Sequence, residues 1–386
     1  MTLEIATAIN QAIDKAADTL RQTALAVWQY KETGHNEHRS ADCLCGVLEA
    51  NGFAVERGLA GLPTAFEGVY NPQGTRKVAF LAEYDALPDI GHGCGHNLIG
   101  AAALGAGIGL KAAAGRLDTA VHVFGTPAEE TTGGKIDLLK AGCFNSMDYI
   151  IMFHPSMHNA VDGRSLAISA YRITYTGKPA HAAADPFNGV NALDGVVSLY
   201  QNLALWRQQL MPAFRVHCVI REGGGALNVI PARAVADVAI RASTASALQG
   251  MRDRLKAIAG AAAMATGTSF TMEPHMRTYL EMKQNPVLGR VYKDTAAAFG
   301  IQSFIYRQHT GSVDLGNVSH HIPCLHAYMA ITDQPLPGHS PEFAEAARSP
   351  RALDVMVTTA RIMALTAARC TEPELLREVK ASLSTD

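Results

Sequence analysis

Charge of one sign is what this 386-residue sequence lacks, its 33 Lys and Arg facing 35 Asp and Glu. No run of Lys or Arg rises above that balance, so the basic field a nucleic-acid partner requires is missing. Long apolar runs are lacking too. The longest, such as 100–110, are Ala/Gly-rich and far below membrane-spanning length, which excludes a membrane partner at the level of expectation. The opening segment has neither the basic start nor the unbroken apolar run of a secretory leader, and carries Glu4, Asp14 and Asp18 instead. Its Ile5, Ile9, Ile13, Ala16, Leu20, Ala24 and Val27 fall at the spacing of an amphipathic helix. The seven cysteines are odd in number and scattered from Cys43 to Cys370, which is no disulfide framework and points to a reduced, cytoplasmic protein. Repeats and low-complexity segments are absent.

What is present is core. Hydrophobic residues make up 48% of a chain too long for one ordinary core, so two domains are expected. From Lys77 the pattern reads strand, loop, helix, strand, loop, helix, strand, with VAFLAEYD, TAVHVFGTPAEE and DYIIMFHPS as nearly continuous apolar strands. Such alternation predicts a parallel sheet covered on both faces, whose ligands gather at the carboxyl ends of the strands. All three strands deliver unusual residues at that end: Glu83 and Asp85, Glu129 and Glu130, and His154. Near Ser165 the pattern changes to strand–helix–strand–strand–helix–strand, a small α+β sandwich on an antiparallel sheet. After about Met282 the first character returns, with a helix over 285–299, the buried strand CLHAYMAI and a terminal helix over 344–368. The expected fold class is α/β. A catalytic domain with a mixed, mostly parallel sheet flanked by helices spans 1–166 and 281–386, interrupted by an inserted α+β domain over 167–280.

The chemistry-bearing residues converge on that predicted rim. Cys94 and His96 sit in GHGCGHN, where glycines permit turns that aim two side chains at one point. Thiolate and imidazole suit zinc and similar divalent ions. Glu129 and Glu130 differ in direction, so one can bind a metal while the other reaches the water upon it. His154 leaves its strand beside Pro155, and His339 lies in PGHSPEF in the returning part of the first domain. Singly, each has a bland reading as a buried thiol or a hydrogen-bonded histidine; together, Cys94, His96, Glu130, His154 and His339 make a two-metal shell. Asp85 reads either as the carboxylate that fixes a ligand's tautomer or as a capping acid after a strand. In the inserted domain His181 is placed to donate to an oxyanion, Asn228 to donate to the same oxygen or to a substrate carboxylate, and Arg241 to bind that carboxylate. For Arg241 the alternative is an exposed strand residue in an ordinary ion pair.

The motifs AEYDALP, GHGCGHN, GTPAEE, FHPS, GKPAHAAADPFNGVNALD, NVIPARA, TGSVDLGNVS and PGHSPEF occur in order across nearly the whole chain. In them the sequence resembles the aminoacylase/carboxypeptidase-type metallopeptidases, peptidase family M20, and within it the subfamily D amidohydrolases, on the branch of aminobenzoyl-glutamate and dipeptide hydrolases. The resemblance implies two divalent ions, zinc or manganese, on Cys94, His96, Glu130, His154 and His339, with Glu129 as general base. It further implies that the inserted domain serves as a dimerisation (lid) domain, making a homodimer in which His181 reaches the partner's site. Many relatives read DMDALP and CGHD where this chain has EYDALP and CGHN, so Asn97 supplies no carboxylate. The expected reaction is hydrolysis of an amide in small N-acyl or aroyl amino acids or unusual dipeptides. Two rivals stand beside it. A cysteine hydrolase using Cys94 with His96 leaves Glu129 and Glu130 unexplained, and a non-catalytic binding protein leaves the whole set unexplained.

Overall fold

The computed structural model describes residues 1–383, with backbone alone at Arg164 and 307–310. It divides into two compact units. One comprises Met1–Gly163, Lys283–Gln308 and Asn317–Asp386; the other comprises Arg164–Met282 and His309–Gly316.

In the first unit the Thr2 hydroxyl caps helix α1 (Leu3–Tyr30), accepting from the Ile5 N–H. Ile9, Ile13, Ala17, Leu20, Ala24 and Val27 recur at the helical period and form its buried face. Ile5 and Ala16, expected on that face, lie half-buried at its margin. After α2 (His38–Ala50) come two strands that the sequence pattern did not signal, β1 (Ala54–Arg57) and β2 (Phe66–Tyr70). Then follow β3 (Arg76–Ala82), α3 (His96–Lys111), the short α4 (Ala114–Leu117), β4 (Thr119–Gly125), α5 (Gly134–Lys140), β5 (Tyr149–Ser156) and β6 (Asp162–Ser165). Helix α3 is buried along nearly its whole length because its Ala and Gly residues let neighbouring helices approach. A Cβ built on Gly105 would stand 2.8 Å from both the Ala360 Cβ and the Leu20 Cδ1.

The second unit holds β7 (Ala167–Thr176), α6 (Ala192–Arg207), β8 (Arg215–Glu222), β9 (Arg233–Ala242), α7 (Ala245–Thr266) and β10 (Ser269–Pro274). The strands pair antiparallel in the order β10-β7-β9-β8. Alternate residues such as Tyr171, Ile173 and Tyr175 of β7 and Ala236, Val238 and Ile240 of β9 face a core shared with Leu199 and Leu203 of α6 and Leu255 and Ile258 of α7. The opposite side of the sheet carries charge: the Arg172 Nε and Arg221 Nε each donate to Asp237 at 2.8 Å, and His275 lies 3.4 Å away.

The chain then returns to the first unit with α8 (Pro286–Ala297) and β12 (Cys324–Ala330); between them β11 (Tyr306–Thr310) and α9 (Leu315–Ser319) are each divided between the two units. The six-stranded sheet runs β1-β2-β4-β3-β5-β12. The β3–β4, β3–β5 and β5–β12 pairs are parallel, whereas β1–β2 and β2–β4 are antiparallel. The sheet is therefore mixed and mostly parallel, with helices flanking it and a second, antiparallel sheet in the other unit. The single terminal helix expected over 344–368 is instead two, α10 (Pro341–Ala346) and α11 (Pro350–Cys370), followed by α12 (Pro373–Ala381). Ser349 caps α11 and Pro350 occupies its first turn, where a missing N–H costs nothing. Among the described residues no helix is long and apolar enough to cross a membrane.

The hydrogen bond from Arg172, with that from Arg221, outweighs desolvation and holds the Asp237 carboxyl down at about 2, against 3.8 ordinarily. A depressed carboxyl stabilises the fold above its unfolded pKa, and the contribution disappears as pH falls through the folded one. Thermal unfolding of Asp237→Asn should therefore lie below that of the parent at pH 7, with the gap closing between pH 3.8 and about 2. A gap unchanged at pH 2 would remove this account.

Candidate metal centre

Every expected ligand of the first unit leaves the carboxyl end of a strand or the start of a helix beside it. Strand β3 ends at Ala82, and Glu83 and Asp85 follow as the chain leaves the sheet, both 1% exposed. The loop to α3 contains Cys94, and Gly95, at φ 80°, turns the chain so that His96 opens the helix. Beyond β4 lies the 126–133 loop, in which Ala128 holds a left-handed φ of 61° and carries Glu129 and Glu130. His154 sits near the end of β5, and His339, also left-handed at φ 57°, precedes α10. The His339 N–H donates to the Gly93 carbonyl at 3.1 Å, which ties the late segment to the cysteine loop.

Their side chains meet. Cys94 Sγ lies 3.3 Å from His154 Nε2, while the His154 Nδ1–H donates to the Pro155 carbonyl at 2.6 Å, which directs Nε2 inward. His96 Nδ1 faces Asp85 Oδ1 at 3.0 Å, and its Nε2 lies 3.4 Å from Glu83 Oε2 and 3.9 Å from Glu130 Oε1. His339 Nε2 stands 3.4 Å from the same Glu130 oxygen. Ligand atoms within 4.8 Å of one another form three sets: Cys94, His96 and His154; Cys94, Glu130 and His339; and His96, Glu129 and Glu130. Cys94, His96 and Glu130 each belong to two of them.

The donor set fits divalent cations. His96 Nε2, Glu83 Oε2 and Glu130 Oε1 are buried, have no hydrogen-bond partner in the protein, and converge. Burial alone would lower the His96 pKa, yet Glu83, Cys94 and Asp85 push it well above the usual imidazole range. Burial likewise drives the Cys94 thiol up, with His96 opposing. For Asp85, desolvation is outweighed by the charge and hydrogen bond of His96, and its carboxyl is lowered. A pocket that crowds buried lone pairs and acids in this way favours a cation.

Asp85 does more than cap a strand. Its Oδ1 holds His96, and its Oδ2 accepts the Glu130 N–H at 3.0 Å. His92 and Asn97 are struts: the His92 Nε2–H donates to the Val27 carbonyl, and Asn97 Nδ2 donates to the Ala24 and Ala347 carbonyls. Burial, with His96 adding to it, lowers the His92 pKa to about 4. Residues that sequence reasoning gave no role also surround the centre. Glu83 Oε1 accepts from Lys135 Nζ at 2.5 Å, and Lys135 is fully buried. The His326 and Tyr328 rings lie 5.5 and 5.4 Å from the His154 ring. Glu37, fully buried, reaches the Ala128 N–H. No periodicity in the sequence signals the burial of Lys135 or Glu37.

His181, Asn228 and Arg241 belong to the second unit and enter none of these sets. His181 is exposed, and its Nδ1 accepts from the Ala183 and Ala184 N–H groups at 3.2 and 3.1 Å, so the proton sits on Nε2. The backbone carbonyl of Asn228 accepts from the Ala182 N–H at 2.9 Å. Arg241 is half-buried and donates to the Ser312 hydroxyl at 2.9 Å, rather than standing exposed. Burial lowers its pKa.

Residues 167–266 match the family model of the M20 peptidase dimerisation domain. Over 375 residues the chain is 38% identical to the Xaa-Arg dipeptidase of Mus musculus, covering 92% of this chain and 86% of that protein. The chain belongs to the M20 peptidase family. It is 34% identical to a p-aminobenzoyl-glutamate hydrolase polypeptide of Escherichia coli over 69% of this chain and 60% of that one. In fold it resembles an M20 dinuclear metal-binding peptidase from Bacillus subtilis, with a TM-score of 0.71 at 19% identity over 93% of this chain and 99% of the other. An aminobenzoyl-glutamate utilization protein from Klebsiella pneumoniae aligns with a TM-score of 0.73 at 19% identity over 95% and 99%. This M20 chain is accordingly an enzyme of the amidohydrolase/dipeptidase type, with a centre suited to divalent metals.

Because Asp85 holds both His96 and Glu130, Asp85→Asn should weaken divalent-ion affinity by about 10–100-fold. Competition against a metal-sensitive dye measures this, and unchanged affinity would show that the Asp85 contacts do not tune the ligands.

Proposed function

We propose that this M20 enzyme hydrolyses the amide bond of small N-acyl or aroyl amino acids or of unusual dipeptides, using two divalent ions, zinc or manganese, in each protomer. The observation that carries the reading is the pair of ligand sets sharing Cys94, with Glu129 beside Glu130 at their edge. Cys94, His96, Glu130, His154 and His339 hold the ions. A divalent ion bound there would lower the pKa of its water to about 7 and would polarise the substrate carbonyl.

The chain's own residues supply the remaining steps. Glu129 accepts the proton of the attacking water and delivers it to the leaving amine. Asp85 keeps His96 in the tautomer whose Nε2 lone pair faces the centre. His181, protonated on Nε2 by its backbone contacts, donates to the oxyanion as charge develops. Asn228 donates to that oxygen or to the substrate carboxylate, which Arg241 binds. The domain name of the matched segment favours a homodimer through the second unit, with His181 serving the partner's site. The seven cysteines, all free, fit a cytoplasmic setting.

Cys94 lies close to His154, so a cysteine hydrolase has a geometric pretext. A nucleophilic thiol needs a depressed pKa, and burial drives this one the other way.

Glu129→Gln should lower kcat by about 10²–10⁴-fold while retaining bound metal. The measurement pairs elemental analysis of parent and variant with turnover on a panel of N-acyl amino acids, aroyl amino acids and dipeptides. Equal turnover by the variant would remove the proposed base. A chelated preparation that keeps full activity, yet loses it to iodoacetamide, would instead establish the thiol mechanism.

A further inference from the structure

Glu129 and Glu130 hang from a turn that is held both by its own hydrogen bonds and by a side chain from a distant segment. Ala128 adopts φ 61°, a left-handed conformation that is unfavourable for an L-residue. Its carbonyl accepts from the Thr132 and Gly133 N–H groups at 3.2 and 2.8 Å, which closes the turn on itself. Its own N–H points the other way, to the Glu37 Oε1 at 2.8 Å. Glu37 Oε2 accepts from the Thr64 hydroxyl at 3.1 Å, and the Thr64 carbonyl accepts from the Tyr84 hydroxyl at 2.5 Å. The carboxylate is thus held from behind, through Tyr84, by the segment that carries Glu83 and Asp85.

The backbone before Glu37 lies along the same turn. The Ala86 N–H donates to the Glu32 carbonyl at 2.8 Å, and Thr33 pairs with Ala86 in a short parallel bridge. His35 Nε2 lies 2.5 Å from the Thr132 hydroxyl. A Cβ on Gly34 would fall 2.3 Å from the Thr131 Oγ1 and 3.1 Å from the Ala128 Cα, so only glycine admits this approach. Residues 32–37 form a strap running from the Asp85 loop to the Glu129 turn.

We propose that Glu37 is a positioning residue for catalysis: by accepting the Ala128 N–H it keeps Ala128 left-handed and so aims the following Glu129 and Glu130 at the metal centre. The proposal rests on the roles given above to Glu129 and Glu130. Glu37 touches neither substrate nor metal ligand, and acts through the backbone of one residue. What it supplies is an acceptor at a fixed reach, not a negative charge. Burial, against opposing backbone hydrogen bonds, pushes its carboxyl up to about 7, so near neutrality the charge is already partly lost.

Two conservative variants separate reach from charge. Glu37→Gln keeps an acceptor oxygen at the same distance and removes the charge. Glu37→Asp keeps the charge and withdraws the oxygen by one bond, about 1.5 Å. Glu37→Asp should lower kcat by about 10²-fold with KM little changed, and weaken zinc or manganese affinity by about tenfold or more in dye competition. It should also speed hydrogen exchange across 126–134. Glu37→Gln should stay close to the parent in all of these. The proposal is overturned if Glu37→Asp exchanges and binds metal like the parent, or if Glu37→Gln falls as far as Glu37→Asp. A purely structural role would lower the unfolding temperature without moving exchange at this turn or splitting kcat from KM. Exchange and metal binding need no turnover, so they test the clamp even if the proposed hydrolysis fails.

Discussion

The carboxylate of Asp85 is the contact on which the centre depends. One oxygen fixes the His96 ring and the other fixes the backbone of Glu130, so a single buried group sets the relative position of ligands from two different strands. Asp85 is tolerated at 1% exposure because both oxygens are satisfied and the His96 charge lies against it. Its own position follows from β3, which lies between β4 and β5 in the middle of the sheet.

Around that point the fold divides rigidity from shape. Strands β3, β4 and β5 and the small-residue helix α3 form a packed platform with no slack, as the contacts around Gly105 show. The side chains that do the chemistry are then presented by short irregular segments, two of which pass through left-handed residues, Ala128 and His339. Neither is glycine or asparagine, so the surrounding contacts hold each conformation in place. Buried polar groups (Lys135 against Glu83, Asn97 against two helix carbonyls) take the part of apolar packing where the backbone is irregular.

Much of this was legible in the sequence. The apolar runs of β3, β4 and β5 and their acidic or histidine-bearing ends announced a parallel sheet with a shared rim, and the structure gathers Cys94, His96, Glu130, His154 and His339 there. The alternating strands of the second unit were equally plain. What was not legible has physical causes. Strands β1 and β2 are short and half-exposed, so they lack the apolar run that marks β3. The break between α10 and α11 is local cap chemistry inside a continuous apolar periodicity. Glu37 and Lys135 are charged residues buried by tertiary partners far away in the chain, and nothing in a window around either residue reveals such partners.

The separation of the ligands along the chain has a consequence for biogenesis. Cys94, His96 and His154 all precede the second unit, whereas the set formed by Cys94, Glu130 and His339 is complete only with a segment made after it. A chain emerging from the ribosome presents its amino-terminal part first. The thiol and two imidazoles can therefore meet while the rest of the chain is still being synthesised, and the second set waits for the last part of the polypeptide to fold back. Assembly of the centre is staged by chain order, with Cys94 common to both stages.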